Sequence, residues 1–341
     1  IRQRLKELEK TNTNYAQLVE EFIRNDLTGF KRLYLKDREI KNLILMGDFL
    51  TETIFREERQ DNIITRAEFE KRYENTVYKT ETSLSEEMDI DPEYAALIVP
   101  TMVICKDFMD LFNAEALWMP GVSLLDGIAY DFGEKKNFIK SAHNFENDIL
   151  VAARNIAKRY STGKDHIKGT TDLALAIFDS MKKVHGMGDR ERLLLQIAVQ
   201  LHDCGKYISM GDVAECSYQI IMATEIIGLS TEERQIIANA VRYNTAEFVY
   251  YSEIAGEVGM DRSVYLLIAK LTAILRIANA MDRSHYQKVK NMKAMLKDRT
   301  LLLTVDSEQD ISLELGLLMD KVEFFEEVFG IRLVFRRKRK V

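Results

Sequence analysis

Five histidines occur in the chain, and two of them stand where metal or phosphate chemistry can be built. His202 is followed at once by Asp203 at the end of an apolar helical run, Ala198–Lys206 (AVQLHDCGK). A helical turn holds about 3.6 residues, so neighbouring side chains diverge by roughly 100°, and an imidazole nitrogen and a carboxylate oxygen at a helix end can reach one ion. Such mixed donors suit Mn, Fe, Zn or Mg, depending on the count of each. Gly205 ends the helix and leaves room for a ligand, and Lys206 offers a charge to a phosphate. His166 opens another helix 36 residues earlier, and Asp282 closes the apolar run Ala273–Asp282 (AILRIANAMD), where it can complete the set. The plainer alternative is a hydrogen-bonded core histidine beside a polar helix end.

The elements that must position these groups follow from periodicity. From about Asn137 the pattern is nearly continuous helix, with runs at Asn137–Tyr160, His166–Val184, Glu191–His202, Cys216–Ile227, Thr231–Val241 and Val264–Asp282. Gly186, Gly188 and Gly228 punctuate them, and Ser230 before Glu232 and Glu233 reads as an N-cap with acidic first-turn residues. The order His, then His-Asp, then Asp on successive helices resembles the HD-domain pattern. Residues 1–135 read as mixed α/β. A charged helical pattern spans Ile1–Lys10, and Leu5, Leu8, Tyr15, Leu18, Val19 and Phe22 recur at helical spacing. A buried strand is expected in Lys41–Asp48, a brief connection at Asn62–Thr65, a helix over Glu93–Phe112 kinked at Pro100, and a short strand at Ala116–Met119 followed by a turn. After residue 290 two strands (LLLTV and ISLEL), a helix at Leu318–Phe329 and a last strand at Ile331–Phe335 are predicted. The fold class is therefore α+β, mostly α.

Bulk properties bound the function. The 341 residues carry a formal charge of −6, with 46% hydrophobic and 30% charged residues. An acidic balance argues against broad nucleic-acid binding. Apolar stretches are broken by charges, so no membrane span or secretory signal is expected. Cys105, Cys204 and Cys216 sit in no paired spacing and read as buried thiols, which favours a cytoplasmic location. The opening on Ile1 within a charged helical pattern suggests a piece of a longer protein.

Asp165–Asp179 (DHIKGTTDLALAIFD), Leu201–Ser209 (LHDCGKYIS), Val241–Asn244 (VRYN), Leu275–His285 (LRIANAMDRSH) and Phe324–Gly330 (FFEEVFG) follow one another in order. Together they resemble the C-terminal, HD-like region of the exopolyphosphatase/guanosine-pentaphosphate phosphatase (Ppx/GppA) family. Upstream, Asp91–Phe112, Ala116–Met119 and Gly121–Asp131 (GVSLLDGIAYD) resemble the end of that family's actin-like (ribonuclease H-like) phosphatase domain. The resemblance implies three parts: residues 1–135 from the actin-like domain, 136–290 forming a helical HD-like domain, and 291–341 forming a small α+β unit. It implies a phosphoanhydride hydrolase acting on inorganic polyphosphate or guanosine pentaphosphate, with a divalent cation, Mg or Mn, and a homodimeric state. The catalytic glutamate and the glycine-rich phosphate loop are expected upstream of Ile1, so none of the catalytic residues is expected on this chain.

Departures from the family pattern weigh on the site. Asn279 stands where the resemblance implies a carboxylate, and Asp282 lies one turn later. Imidazoles that the family often carries are replaced by Val213, Ala214, Cys216 and Asn244, which argues for a degenerate pocket. The second glycine-rich loop would fall at Met46–Thr51 (MGDFLT), where bulky residues discourage close approach to phosphate. The expected metal set is thus His166, His202, Asp203 and Asp282. Lys168, Lys206, Arg242 and Arg283 are the expected polyanion contacts, with Arg336–Lys340 (RRKRK) a basic tail. Two alternatives remain open: a metal-dependent HD nucleotide phosphohydrolase, and a non-catalytic regulatory module.

Overall fold

The computed structural model describes residues 15–35, 38–47, 49, 62–141, 143–254 and 260–338. The helical pattern over Ile1–Lys10, positions 48, 50 and 51 of the Met46–Thr51 loop and the end of the basic tail lie outside the described residues. Two compact units are present, Ile1–Ser141 and Ala142–Val341, each with its own apolar cluster. Helix dominates both, with one small sheet in each.

In the first unit, strands β1 (Asn42–Ile44), β2 (Ile63–Thr65) and β3 (Ala116–Trp118) form a sheet in the order β1-β3-β2, parallel on one side and antiparallel on the other. Ile64 and Leu117 point into the core with Val19 of α1 (Tyr15–Phe30) and Met102 and Met109 of a long apolar helix. Asn62–Thr65, expected as a connection, is instead a pairing strand. Its last residue, Thr65, caps α2 (Arg66–Thr76) through a reciprocal capping box with Glu68. After α3 (Glu81–Met88) comes the apolar helix α4 (Pro92–Phe112), opened by Asp91 as N-cap and Pro92 at the first position. It continues through Pro100 as one helix and ends on left-handed Asn113. After β3 the chain passes through left-handed Gly121 and enters a further helix, α5 (Leu124–Lys135), started by a Ser123–Asp126 capping box.

The second unit is a helical bundle with a sheet attached. Its helices are α6 (Phe145–Arg159), α7 (Lys164–Ser180), the short α8 (Lys182–His185), α9 (Asp189–Leu201), α10 (Val213–Ala223), α11 (Thr231–Thr245), the short α12 (Tyr251–Ile254) and α13 (Arg262–Ala280). The helix expected from Asn137 starts at Phe145, because Asn137 is left-handed and Asn144 supplies the N-cap. At the centre lies α13, packed against α7, α9 and α11. It is the one described helix long and apolar enough to cross a membrane, and 61% of that stretch is buried inside the unit. The sheet runs β4-β5-β6, with β4 (Asn291–Lys297) antiparallel and β6 (Arg332–Arg337) parallel to β5 (Thr300–Asp306). Strand β4 was not anticipated. The strand expected at ISLEL is corrected to the start of helix α14 (Ser312–Phe329). Asp310 accepts from the amide and hydroxyl of Ser312, which starts the helix, and Leu315, Leu318, Val322 and Phe325 then face the core at helical spacing.

Candidate functional site

Three chain segments converge in the second unit. His166 sits in the first turn of α7. His202 is the C-cap of α9, and Asp203 leads into a 3-10 turn over Cys204–Tyr207. Asp282 and His285 lie in the turn after α13. Gly205 is what allows the 3-10 turn to seat: a Cβ there would lie 2.3 Å from the Val213 carbonyl oxygen and 2.6 Å from the Ser217 amide. The Gly205 amide donates to the Ser217 hydroxyl, tying the turn to α10. The other turn is wound tightly, with His285 and Gln287 both in the left-handed region.

Hydrogen bonds settle the tautomers. His202 Nδ1 donates to the Val199 carbonyl at 2.7 Å, and His166 Nδ1 donates to Asp282 at 2.7 Å. Both rings are 2% exposed. With each Nδ1 engaged as a donor, the Nε2 atom is the one each ring turns to the pocket, and these two atoms face each other at 3.1 Å. Two ring nitrogens that close repel unless a proton or a cation lies between them. Asp203 stands beside them, 3.6 Å from His202 Nε2 and 4.0 Å from His166 Nε2. The ring of His285 stacks on His166 at 3.7 Å, nearly parallel, and its Nε2 is 3.9 Å from Asp203. A metal bound at about 2.0–2.1 Å from each donor holds its donors roughly 3–4 Å apart, so these separations suit one ion. Ligand atoms of His166, Asp203 and His285 all lie within 4.8 Å of one another.

The electrostatics agree. Burial pushes the His202 imidazole below its ordinary value, keeping it neutral, and burial does the same to His285 with help from His166. Burial alone would raise the Asp203 carboxyl, but His202 and the hydrogen bond from Lys206 hold it below the ordinary range. Asp282 is likewise held low against its burial by His166 and Gln287. Both carboxylates are therefore anionic beside the imidazoles.

The expected site residues fall in distinct places. His166, His202 and Asp203 point into one pocket. Asp282 takes the Nδ1 side of His166, and its other oxygen accepts from the Gln287 amide, so it orients the ring from behind. Asn279 is half-buried one turn earlier. Lys206 bonds Asp203 at 2.5 Å. Arg242 pairs with Glu215 at 2.8 Å and lies over Tyr218. Lys168 and Arg283 are exposed. Sequence reasoning missed His285, although it stands in the quoted run LRIANAMDRSH, because nothing in its spacing shows that the turn folds back over α7. Beside the cluster opens a cavity of about 410 Å³, lined by Tyr160, Thr162, Gly163, Lys206, Tyr207 and His285. The start of α7 borders it at Gly163, which has no side chain to cap the helix. Cys204 is a buried thiol, pushed up to about 11 by burial, and so inert.

The model of one protein family, Ppx/GppA phosphatase, domain III, matches residues 151–323. The chain belongs to the Ppx/GppA phosphatase family. The whole cluster, from His166 to His285, falls inside the matched Ppx/GppA segment, as do β4, β5 and most of α14. A search of curated proteins finds no match.

Proposed function

We propose that this chain is the C-terminal portion of an exopolyphosphatase-like phosphohydrolase acting on inorganic polyphosphate or guanosine pentaphosphate. The observation that carries the reading is the domain III match over residues 151–323. On this reading residues 1–135 are the end of an actin-like phosphatase domain and 136–290 are an HD-like bundle. The segment supplies polyanion binding and dimerisation, while the glutamate that activates water and the phosphate loop come from sequence upstream of Ile1. Mg or Mn would neutralise phosphate charge in the intact enzyme. Release of orthophosphate by the intact protein from polyphosphate or guanosine pentaphosphate, in Mg2+ or Mn2+, is the expected result. No release from either would end the assignment.

One observation favours a second reading, a metal-dependent centre within this chain: two buried imidazoles whose Nε2 atoms face each other at 3.1 Å beside an anionic carboxylate. His166, His202, Asp203 and His285 would hold the ion, and Asp282 would orient His166 rather than bind metal. A three-imidazole, one-carboxylate set favours Mn, Fe or Zn over Mg. Bound, the ion would supply a water of lowered pKa. Elemental analysis of the purified protein is the test. Near-stoichiometric Mn, Fe or Zn that is lost in His202→Ala supports the centre. Metal-free protein that takes up none on dialysis leaves a polar core network instead.

A further inference from the structure

The sheet of the second unit has one open face, and the strand register shows what stands on it. Leu301, Leu303, Val305 and Leu333 are buried on the inner side. Residues directly opposite across a ladder share a face. On the open side, Lys293 is opposite Thr304, which is opposite Arg336. Four residues along, Lys297 is opposite Thr300, which is opposite Arg332. The same order, lysine, threonine, arginine, therefore crosses the sheet twice. Between these rows lies Met295–Leu302–Val334. All four cations are exposed, and none forms an ion pair with a described residue. The face has one acidic residue, Asp306 at its end, and it is paired with Lys338.

Each row carries an ammonium, a hydroxyl and a guanidinium on three adjacent strands about 5 Å apart, an oxyanion-binding combination. The two rows lie roughly 13 Å apart, four residues at about 3.3 Å each. A single phosphate group reaches one row only, whereas a linear polyanion reaches both. No aromatic side chain stands on the face, so nucleobases have nothing to stack on. We propose that this face binds a chain of inorganic polyphosphate running along the strands from one cationic row to the other. The choice of polyphosphate rests on the phosphoanhydride reading above. The site is distinct from the His166–His285 cluster and from the four cations expected from sequence. On a chain of net charge −6 it concentrates four unpaired positive charges in one patch.

Titration calorimetry on this chain tests it, with long-chain polyphosphate, tripolyphosphate and oligo(dT) as probes at one salt concentration. The long chain should bind roughly tenfold or more tighter than tripolyphosphate, with a salt dependence that weakens when either row is removed. Lys293→Glu with Arg336→Glu, or Lys297→Glu with Arg332→Glu, should each cost the long chain at least about tenfold and change tripolyphosphate less. Reversing both rows should abolish binding. If the reversed variants fail to fold by circular dichroism, the same positions changed to Gln carry the comparison. Unchanged long-chain affinity in the variant lacking both rows, or oligo(dT) binding the unaltered chain as tightly as polyphosphate, overturns the proposal. Binding needs no turnover. An intact protein that binds polyphosphate through this face yet releases no phosphate would defeat the enzyme assignment alone, and one that hydrolyses polyphosphate without using the face would defeat this proposal alone.

Discussion

His166 shows how one hydrogen bond decides what a side chain can do. Because Nδ1 is committed to Asp282, Nε2 is the atom that faces the pocket. In Asp282→Asn an amide nitrogen turned toward the ring would favour the other tautomer and place a proton on Nε2. If the cluster holds an ion, its affinity should fall about 10–100-fold, as for other changes behind a metal-bound imidazole, with the helical circular dichroism retained. Unaltered metal affinity by competition titration would show that Asp282 does not act through the ring. His185 is a separate buried imidazole, donating from Nε2 to the Phe178 carbonyl and accepting at Nδ1 from the Met187 amide. Protonation would destroy that acceptor, and burial pushes its pKa down from 6.5. Its folded pKa lies below its unfolded one, so the unfolded chain takes up the proton first and stability falls as pH drops below about 6.5. His202 acts in the same direction. Urea midpoints at pH 7.5 and 5.5 should decline with acid, and more shallowly in His185→Gln. An equal decline in both would contradict the assignment.

Elements place these residues through close approach more than through propensity. The 3-10 turn that carries Lys206 and follows Asp203 exists because Gly205 lets it touch α10 backbone. Gly205→Ala must push that backbone away, and overpacking of this kind costs about 1–3 kcal/mol. Chemical denaturation should register the loss, together with weaker protection of the Ser217 amide in hydrogen exchange. Stability within about 0.5 kcal/mol of the parent would show that the turn yields freely. The helix at Ser312–Phe329 teaches the same lesson from the other side. ISLEL alternates apolar and polar residues like a strand. Its Glu314 is nevertheless buried, accepting from Ser284 and Lys288, and the register continues at helical spacing for five turns. A five-residue window cannot separate the two periods when the longer pattern starts inside it.

For the whole molecule, the apolar cluster around α13 is built entirely from residues within 142–341. That span includes the cluster, the cavity and the cationic sheet face. A fragment beginning at Ala142 should therefore fold by itself and unfold in one cooperative transition. Its thermal melt, followed by circular dichroism and by Trp-independent probes such as tyrosine fluorescence, tests this. Non-coincident transitions, or a fragment without helical signal, would show that residues before 142 are needed.

The amino-acid sequence determined the helical character after residue 144, the existence of a short strand at Ala116–Trp118, and the pairing of His202 with Asp203, because these depend on periodicity and adjacency along the chain. It also carried the family, since LHDCGK and AMDRSH are contiguous strings. Tertiary structure decided which carboxylate sits behind a ring and which in front of it, that His285 stacks on His166, and that lysine, threonine and arginine from three strands form two aligned rows. Those facts depend on distances between residues up to 119 positions apart. Such distances are set by how the core packs and by strand register, neither of which local spacing encodes.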